Sequence, residues 1–275
     1  MSREVSQLPP GSRVLVTGAT GFTGSVLVRK LAAAGHLVRA IARTSSRTDV
    51  LDGVPVEWVR GDVADPSVAA AAVPGMHYIV HMATAYREGG AGEDVFRRVH
   101  VVSTEHLARA AAKEPGFRRF VHISTMGVHG HIDGPPADEN APFAPGDAYQ
   151  STKLEAEQWL RGFAPAAGLS YAILRPCAIM GPGDRRLLKL FRMAARGVMV
   201  LIGGGRCLYH LVHVEDLTDA MLLAAAHPAA EGGAFLCGNT GAIGLAEFGA
   251  IVAGALGRRL RVLRLPAGPF FAAAA

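Results

Sequence analysis

Short apolar runs of strand length alternate along this chain with longer segments whose apolar residues recur at helical spacing. The runs at 14–16, 37–42, 56–59, 77–82, 119–124 and 170–174 predict strands. Segments 25–34, 66–72, 93–113 and 147–163 predict the helices between them. The last of these has a start signal: Asp147 can cap it, and Gln150, three residues on, completes a capping-box variant. Strand and helix in regular alternation predict an α/β protein with a doubly wound parallel sheet and right-handed crossovers. Beyond Pro176 the rhythm loosens into a turn at 181–184, a helix over 186–196, a turn at 203–205, a strand at 211–214, a helix over 216–226, a strand at 234–237 and a helix over 245–256.

The first strand–helix junction carries the most specific local signal. It reads Thr17-Gly18-Ala19-Thr20-Gly21-Phe22-Thr23-Gly24, with glycines three apart. Gly18 allows the tight turn out of the strand, Gly21 lets a pyrophosphate approach bare backbone, and Gly24 lets the helix pack close to the sheet. The helix start adds free N–H groups and the positive end of its dipole. Glycine turns are common punctuation, but one placed between a strand and a helix at the start of the chain predicts dinucleotide binding. The expected architecture is a Rossmann-type sheet with a small C-terminal substrate-binding lobe. Residues 1–12 form a flexible N-terminal segment and 13–275 a single domain, with 177–275 contributing most of the lobe.

Composition narrows the class. Half of the 275 residues are hydrophobic, enough for a large core, and the apolar runs are too short and too interrupted to span a membrane. Cys177, Cys207 and Cys237 are few, odd in number and far apart, which argues against a disulfide framework and fits a reducing, cytoplasmic setting. The formal charge of +5 comes from dispersed Lys and Arg without a basic block, so a solvated surface with a few phosphate-binding arginines is expected rather than a nucleic-acid or membrane partner.

Arg43 ends the second strand, nineteen residues beyond Gly24, and no acid occurs between Gly35 and Thr48. A carboxylate there would grip the ribose 2′-hydroxyl of NAD, whereas an arginine suits the 2′-phosphate of NADP; NADP is therefore expected over NAD, with NAD still admitted. Asp62, followed by Val63, is placed either to accept from the adenine amino group or to serve as a turn and helix-capping residue. Tyr149 and Lys153 stand four apart on one helical face. The ammonium favours the phenolate, so the pair can move a substrate hydroxyl proton as hydride passes to or from nicotinamide. Thr125 or Ser124, at the carboxyl end of the preceding strand, would hydrogen-bond the substrate oxygen at the edge where open sheets bind ligands.

Taken in order, 17–24, Gly61-Asp62, His81-Met82-Ala83, 123–130, 149–153, Arg175-Pro176 and 212–217 resemble the extended short-chain dehydrogenase/reductases, the NAD(P)-dependent epimerase/dehydratase group. The resemblance runs from about Arg13 to about Pro266. It implies Thr125 as the family's Ser/Thr, Tyr149 as the catalytic tyrosine and Lys153 as the lysine holding the nicotinamide ribose. It implies coenzyme contacts from Gly18, Thr20, Gly21, Phe22, Thr23, Gly24, Arg43, Asp62, Val63, Met82, Ala83, Thr84 and Pro176. Substrate contacts would come from Thr125, Met126, Cys177, Ile179 and Arg206. Homodimers paired through helices 93–113 and 147–163 are also implied.

Three positions depart from the family pattern. His100 replaces the usual Asn of a V-N-x-x-G-T stretch. Tyr209 stands where nucleotide-sugar enzymes carry a diphosphate-binding arginine, although Arg206 is close by. Members usually continue through further C-terminal helices, and this chain reaches Ala275. The expected activity is hydride transfer at a carbinol or carbonyl carbon of a small, rather apolar substrate, steroid-like or a secondary metabolite. The alternatives are a nucleotide-sugar epimerase or dehydratase with retained coenzyme and a non-catalytic NADP-sensing protein. His129 and His131 read as loop histidines rather than metal ligands, no metal is expected, and Cys177 reads as a buried small apolar residue rather than a nucleophile.

Overall fold

The computed structural model describes residues 8–85, 92–132, 134–205 and 207–266. In chain order these form β1 (Arg13–Thr17), α1 (Phe22–Ala33), β2 (Leu37–Ala42), β3 (Val56–Arg60), α2 (Pro66–Ala72), β4 (Tyr78–His81), α3 (Glu93–Arg97), α4 (Ser103–Ala111), β5 (Arg119–Ile123), α5 (Ala148–Ala166) and β6 (Tyr171–Pro176). They continue through β7 (Ala178–Met180), α6 (Leu188–Ala195), β8 (Val198–Ile202), β9 (Leu208–Tyr209), β10 (Leu211–His213), α7 (Val214–Ala226), β11 (Ala234–Cys237), β12 (Ile243–Gly244), α8 (Leu245–Ala255) and β13 (Arg261–Leu265). The chain divides into two compact units, residues 1–177 with 214–237 and residues 178–213 with 238–275.

The larger unit is built on a seven-stranded sheet in the order β3-β2-β1-β4-β5-β6-β11, parallel throughout. The strand order reverses between β1 and β4, which opens a crevice beyond their carboxyl ends. Central strands are apolar on both faces because helices cover both. Leu15, Ile79, Phe120 and Ile173 pack against α2, α4 and α5, while Leu27, Val28 and Leu31 of α1 are buried beside α7. Lys30 ties α1 to α7 through Asp219 (2.6 Å) and Glu215 (3.0 Å). Of residues 8–12, at the end of the segment expected to be flexible, 9–11 are exposed. Leu8 and Ser12 are buried, and the Leu37 amide donates to the Ser12 carbonyl (3.0 Å).

Two expectations about helices are corrected. α1 begins at Phe22 rather than 25, because Gly21 already supplies the extended residue that starts it. The helix expected over 93–113 is interrupted by a π-helical turn, Arg98–Val102. One extra residue per turn leaves the apolar spacing nearly intact, so periodicity does not detect it. The start of α5 follows its signal. Asp147 accepts from the Gln150 amide (2.9 Å), and the Gln150 side chain reaches back to the Gly146 amide (2.6 Å).

The smaller unit has three two-stranded pieces, β10 with β7, β12 with β9 and β13 with β8. Its core gathers Ala194, Met199, Leu201, Leu211 and Phe248 between α6, α8 and β8. The pairing of β8 with β13 has no counterpart among the expected elements.

Candidate active site

At the carboxyl end of β1, Gly18 takes φ +72°, and a Cβ there would lie 3.0 Å from the Met82 carbonyl oxygen. A Cβ on Gly24 would run into the Gly18 carbonyl, so α1 starts against the turn only because this residue is glycine. Gly21 is exposed at the helix start, and its amide donates to the Gly18 carbonyl (3.0 Å). The next N–H groups, of Phe22, Thr23 and Gly24, have no acceptor within the helix, and no acidic side chain occupies the first turn. Thr20, Phe22 and Thr23 are half-buried around this cradle. Bare backbone, free amides and the positive end of the dipole suit a pyrophosphate, and a dinucleotide fits here.

Across the crevice, the Met82 and Ala83 amides both donate to Thr17 Oγ1 (3.0 Å each). With both lone pairs used, that hydroxyl donates to His81 Nδ1 (2.7 Å), so His81 carries its proton on Nε2, facing Ser103 Oγ (3.0 Å). His100, buried in the π-helical turn, is hydrogen-bonded at both nitrogens, Nδ1 with Thr152 Oγ1 (2.8 Å) and Nε2 with Thr84 Oγ1 (2.9 Å). The histidine that replaces Asn thus bridges the chain after β4 to the helix that carries Tyr149 and Lys153. The Tyr149 ring meets His100 edge-on, with centroids 5.3 Å apart.

Lys153 is buried, and its Nζ donates to the Ile123 carbonyl (2.9 Å) at the end of β5. Burial pulls its ammonium down to about 8, opposed by the carboxylate of Glu157 one turn on. Burial and the Lys153 charge hold His81 at about 3 and His100 at about 2, and lower His122 as well. Three neutral imidazoles therefore leave Lys153 without a competing buried cation among them. Next to Ile123, Ser124 is buried with no partner for its hydroxyl among the described residues. Thr125 Oγ1 accepts from the Gly127 amide (3.1 Å), which leaves its proton to donate elsewhere. Gly127 in turn lies close against Gln150, so the Thr125 turn and the start of α5 are adjacent.

Other expected residues have definite places. Arg43 is exposed just beyond β2, with no ion pair among the described residues. Asp62 uses one oxygen to accept from the Ala64 amide (2.9 Å) and the other to pair with Arg98 (2.6 Å). Val63 is half-buried against the core under α2. Met126 opens the short helical turn Met126–His129, and Pro176 ends β6. The Cys177 thiol is buried and pushed up to about 11, which makes it a poor nucleophile. Ile179 lies on β7 in the smaller unit, and Arg206 lies outside the described residues.

His129 is not a loop histidine. It is buried, accepts from Arg175 Nη1 (3.1 Å) and donates from Nδ1 to the Ala141 carbonyl (2.9 Å). Arg175 also makes a fully buried pair with Glu157 (2.7 Å) and faces the Phe143 ring. Sequence reasoning missed Glu157, and it missed the placement of His81 beside His122. Their one signal was a histidine at the same end of two apolar runs, which pair as His81↔His122 in the sheet.

Comparison with known proteins bears on this arrangement. The family model described as NAD dependent epimerase/dehydratase matches residues 14–238. The chain is 35% identical over 273 residues to the 3 beta-hydroxysteroid dehydrogenase/Delta 5-->4-isomerase of Mycobacterium tuberculosis, covering 94% of this chain and 72% of that protein. It is 28% identical over 243 residues to the UDP-glucose 4-epimerase of Vibrio cholerae, covering 85% and 73%. Among solved structures, the dTDP-glucose 4,6-dehydratase from Streptomyces venezuelae with bound NAD superposes with a TM-score of 0.76 at 27% identity, covering 92% of this chain and 84% of that one.

Proposed function

We propose that this chain, which belongs to the NAD dependent epimerase/dehydratase family, reduces or forms a ketone on a small, rather apolar, steroid-like substrate and prefers NADP(H). Enzymes of this family are NAD(P)-dependent oxidoreductases, epimerases and dehydratases, and this chain is one of them. The observation that carries the narrower reading is the placement of Tyr149 and Lys153 on one face of α5, with Lys153 anchored at the end of β5 beside the Thr125 turn. The steroid-like substrate is favoured by the 35% identity to a steroid dehydrogenase. NADP preference rests on exposed Arg43.

Bound nicotinamide coenzyme supplies or accepts the hydride. The chain's own residues do the rest. The glycine turn and the first N–H groups of α1 hold the pyrophosphate, and Lys153 holds the nicotinamide ribose. Tyr149 gives a proton to the substrate oxygen during reduction, or takes it during oxidation. The Lys153 ammonium favours the phenolate form, and Thr125 donates a hydrogen bond to the same oxygen. His100, neutral and fixed at both nitrogens, holds α5 in register with Thr84. The protein is further proposed to be cytoplasmic and a homodimer paired through the helical segment 93–113 and α5.

Tyr149→Phe tests the reading. We expect turnover to fall by about 10³-fold or more while NADPH still binds, and more tightly than NADH in a parallel titration. Full activity in this variant overturns the tyrosine's role, and tighter NADH overturns the coenzyme preference. The second reading, a nucleotide-sugar epimerase or dehydratase, is favoured by the similarity to the Vibrio cholerae and Streptomyces venezuelae enzymes. Tightly held, non-exchanging NAD on the purified protein would select it.

A further inference from the structure

The smaller unit concentrates positive charge. Its two segments, 178–213 and 238–275, hold ten Lys/Arg against two Asp/Glu, whereas the rest of the chain holds 18 against 21. Of the two acids, Asp184 is tied to Arg186 (2.9 Å), and Glu247 sits in the first turn of α8.

The fold gathers the cations at one edge. α6 ends and turns at Gly197 (φ 76°) into β8, and α8 ends and turns at Gly257 (φ 66°) into β13. Because β8 and β13 are parallel and begin as Val198↔Arg261, both turns lie at the same edge, where the Arg261 amide donates to the Gly197 carbonyl (2.7 Å). Arg192, Arg196 and Arg258 line an open cleft there of about 440 Å³ together with Leu256. Arg259 and Arg261 are exposed beside them, and Glu247 lies at the opposite end of α8.

An apolar face adjoins this edge. On the β8–β13 pair, Met199 and Leu201 turn inward toward Phe248. The alternate positions pair outward as Val200↔Leu263 and Ile202↔Leu265, and these four residues are 38%, 45%, 50% and 40% exposed respectively. The outer face of a sheet packed on one side ordinarily carries polar residues.

We propose that this cationic edge and aliphatic face together dock the smaller unit on an anionic lipid bilayer. Guanidinium groups pair with lipid phosphates, and the aliphatic side chains enter the boundary between headgroups and acyl chains. A second copy of the chain would bring two clusters of like charge together. A nucleic acid would satisfy the arginines and leave Val200, Ile202, Leu263 and Leu265 in water. The contact is with the surface, since no helix among the described residues is long and apolar enough to cross a membrane. It does not depend on the substrate reading, because none of these residues is among those proposed to contact coenzyme or substrate.

The test is co-sedimentation of the whole protein with vesicles of phosphatidylcholine alone and of phosphatidylcholine with about one-third phosphatidylglycerol. Partitioning onto the anionic vesicles should be at least about tenfold higher and should weaken as salt rises. Arg196→Glu/Arg259→Glu should lower it by at least about tenfold, and Leu263→Ser should weaken the part that persists at high salt. Circular dichroism and NADPH binding verify that each variant is folded. Equal binding to both vesicles, no binding by the folded protein, or binding that neither variant changes overturns the proposal. So does duplex DNA captured in place of vesicles, or a dimer in solution that Leu263→Ser dissolves while vesicles are ignored.

Discussion

In the larger unit, charged and polar side chains are drawn inward. Lys153, Glu157, Arg175, His81, His100 and His122 are all buried there. In the smaller unit the described arginines stay outside, and Val200, Ile202, Leu263 and Leu265 stay outside with them. A buried polar group must be partnered to offset its desolvation, so the larger unit spends its side chains on one another and fixes one geometry. The smaller unit leaves charged and apolar side chains exposed together, a surface suited to binding something else.

The largest effect expected from breaking this contrast is at the Arg175–Glu157 pair. Glu157→Leu strands a buried guanidinium and should cost about 3–5 kcal/mol, whereas Glu157→Leu with Arg175→Met should recover most of that loss. Urea unfolding of both variants checks it. If the double variant were as unstable as the single one, the cost would lie in packing rather than in the orphaned charge. In the smaller unit, Phe248→Ala should cost about 3 kcal/mol through the cavity it leaves under α8. Because the glycine turn and helix start proposed to hold the coenzyme lie in the larger unit, NADPH affinity should change less than twofold or so. A collapse of NADPH binding would mean that the two units do not answer separately.

The effect that is smallest for each residue concerns pH. His81 and His100 are held at about 3 and about 2, and His122 is lowered too, against about 6.5 in an unfolded chain. Below about pH 6.5 the unfolded chain takes up protons that the native one refuses. Stability fully present above that pH is therefore lost as pH falls toward about 3. Between about pH 7.5 and about pH 5.5 the loss should be about 1 kcal/mol for each buried histidine. Stability measured by urea at the two pH values should differ accordingly. A flat profile would mean that these imidazoles are not held neutral, and His122, with no partner for either nitrogen among the described residues, is the first to replace with Leu.

Features that depend on spacing within one element were legible in the chain. The glycine turn after β1, the Asp147 cap and the Tyr149–Lys153 face need only local geometry, so they could be read along with the strand–helix alternation. By itself the sequence determined a doubly wound sheet and the position of the glycine turn, and it named the residues proposed for the proton chemistry. Tertiary structure decided what arises from registers and long-range packing. The β4–β5 register set His81 beside His122, and the π-helical turn aimed His100 at Thr84 and Thr152. Glu157 found Arg175 across α5 and β6. The same holds for the arginines, which look dispersed along the chain. Two parallel strands begin side by side, so turns some sixty residues apart bring their cations to one edge. Periodicity records which face a residue occupies, and only the packed fold records what that face meets.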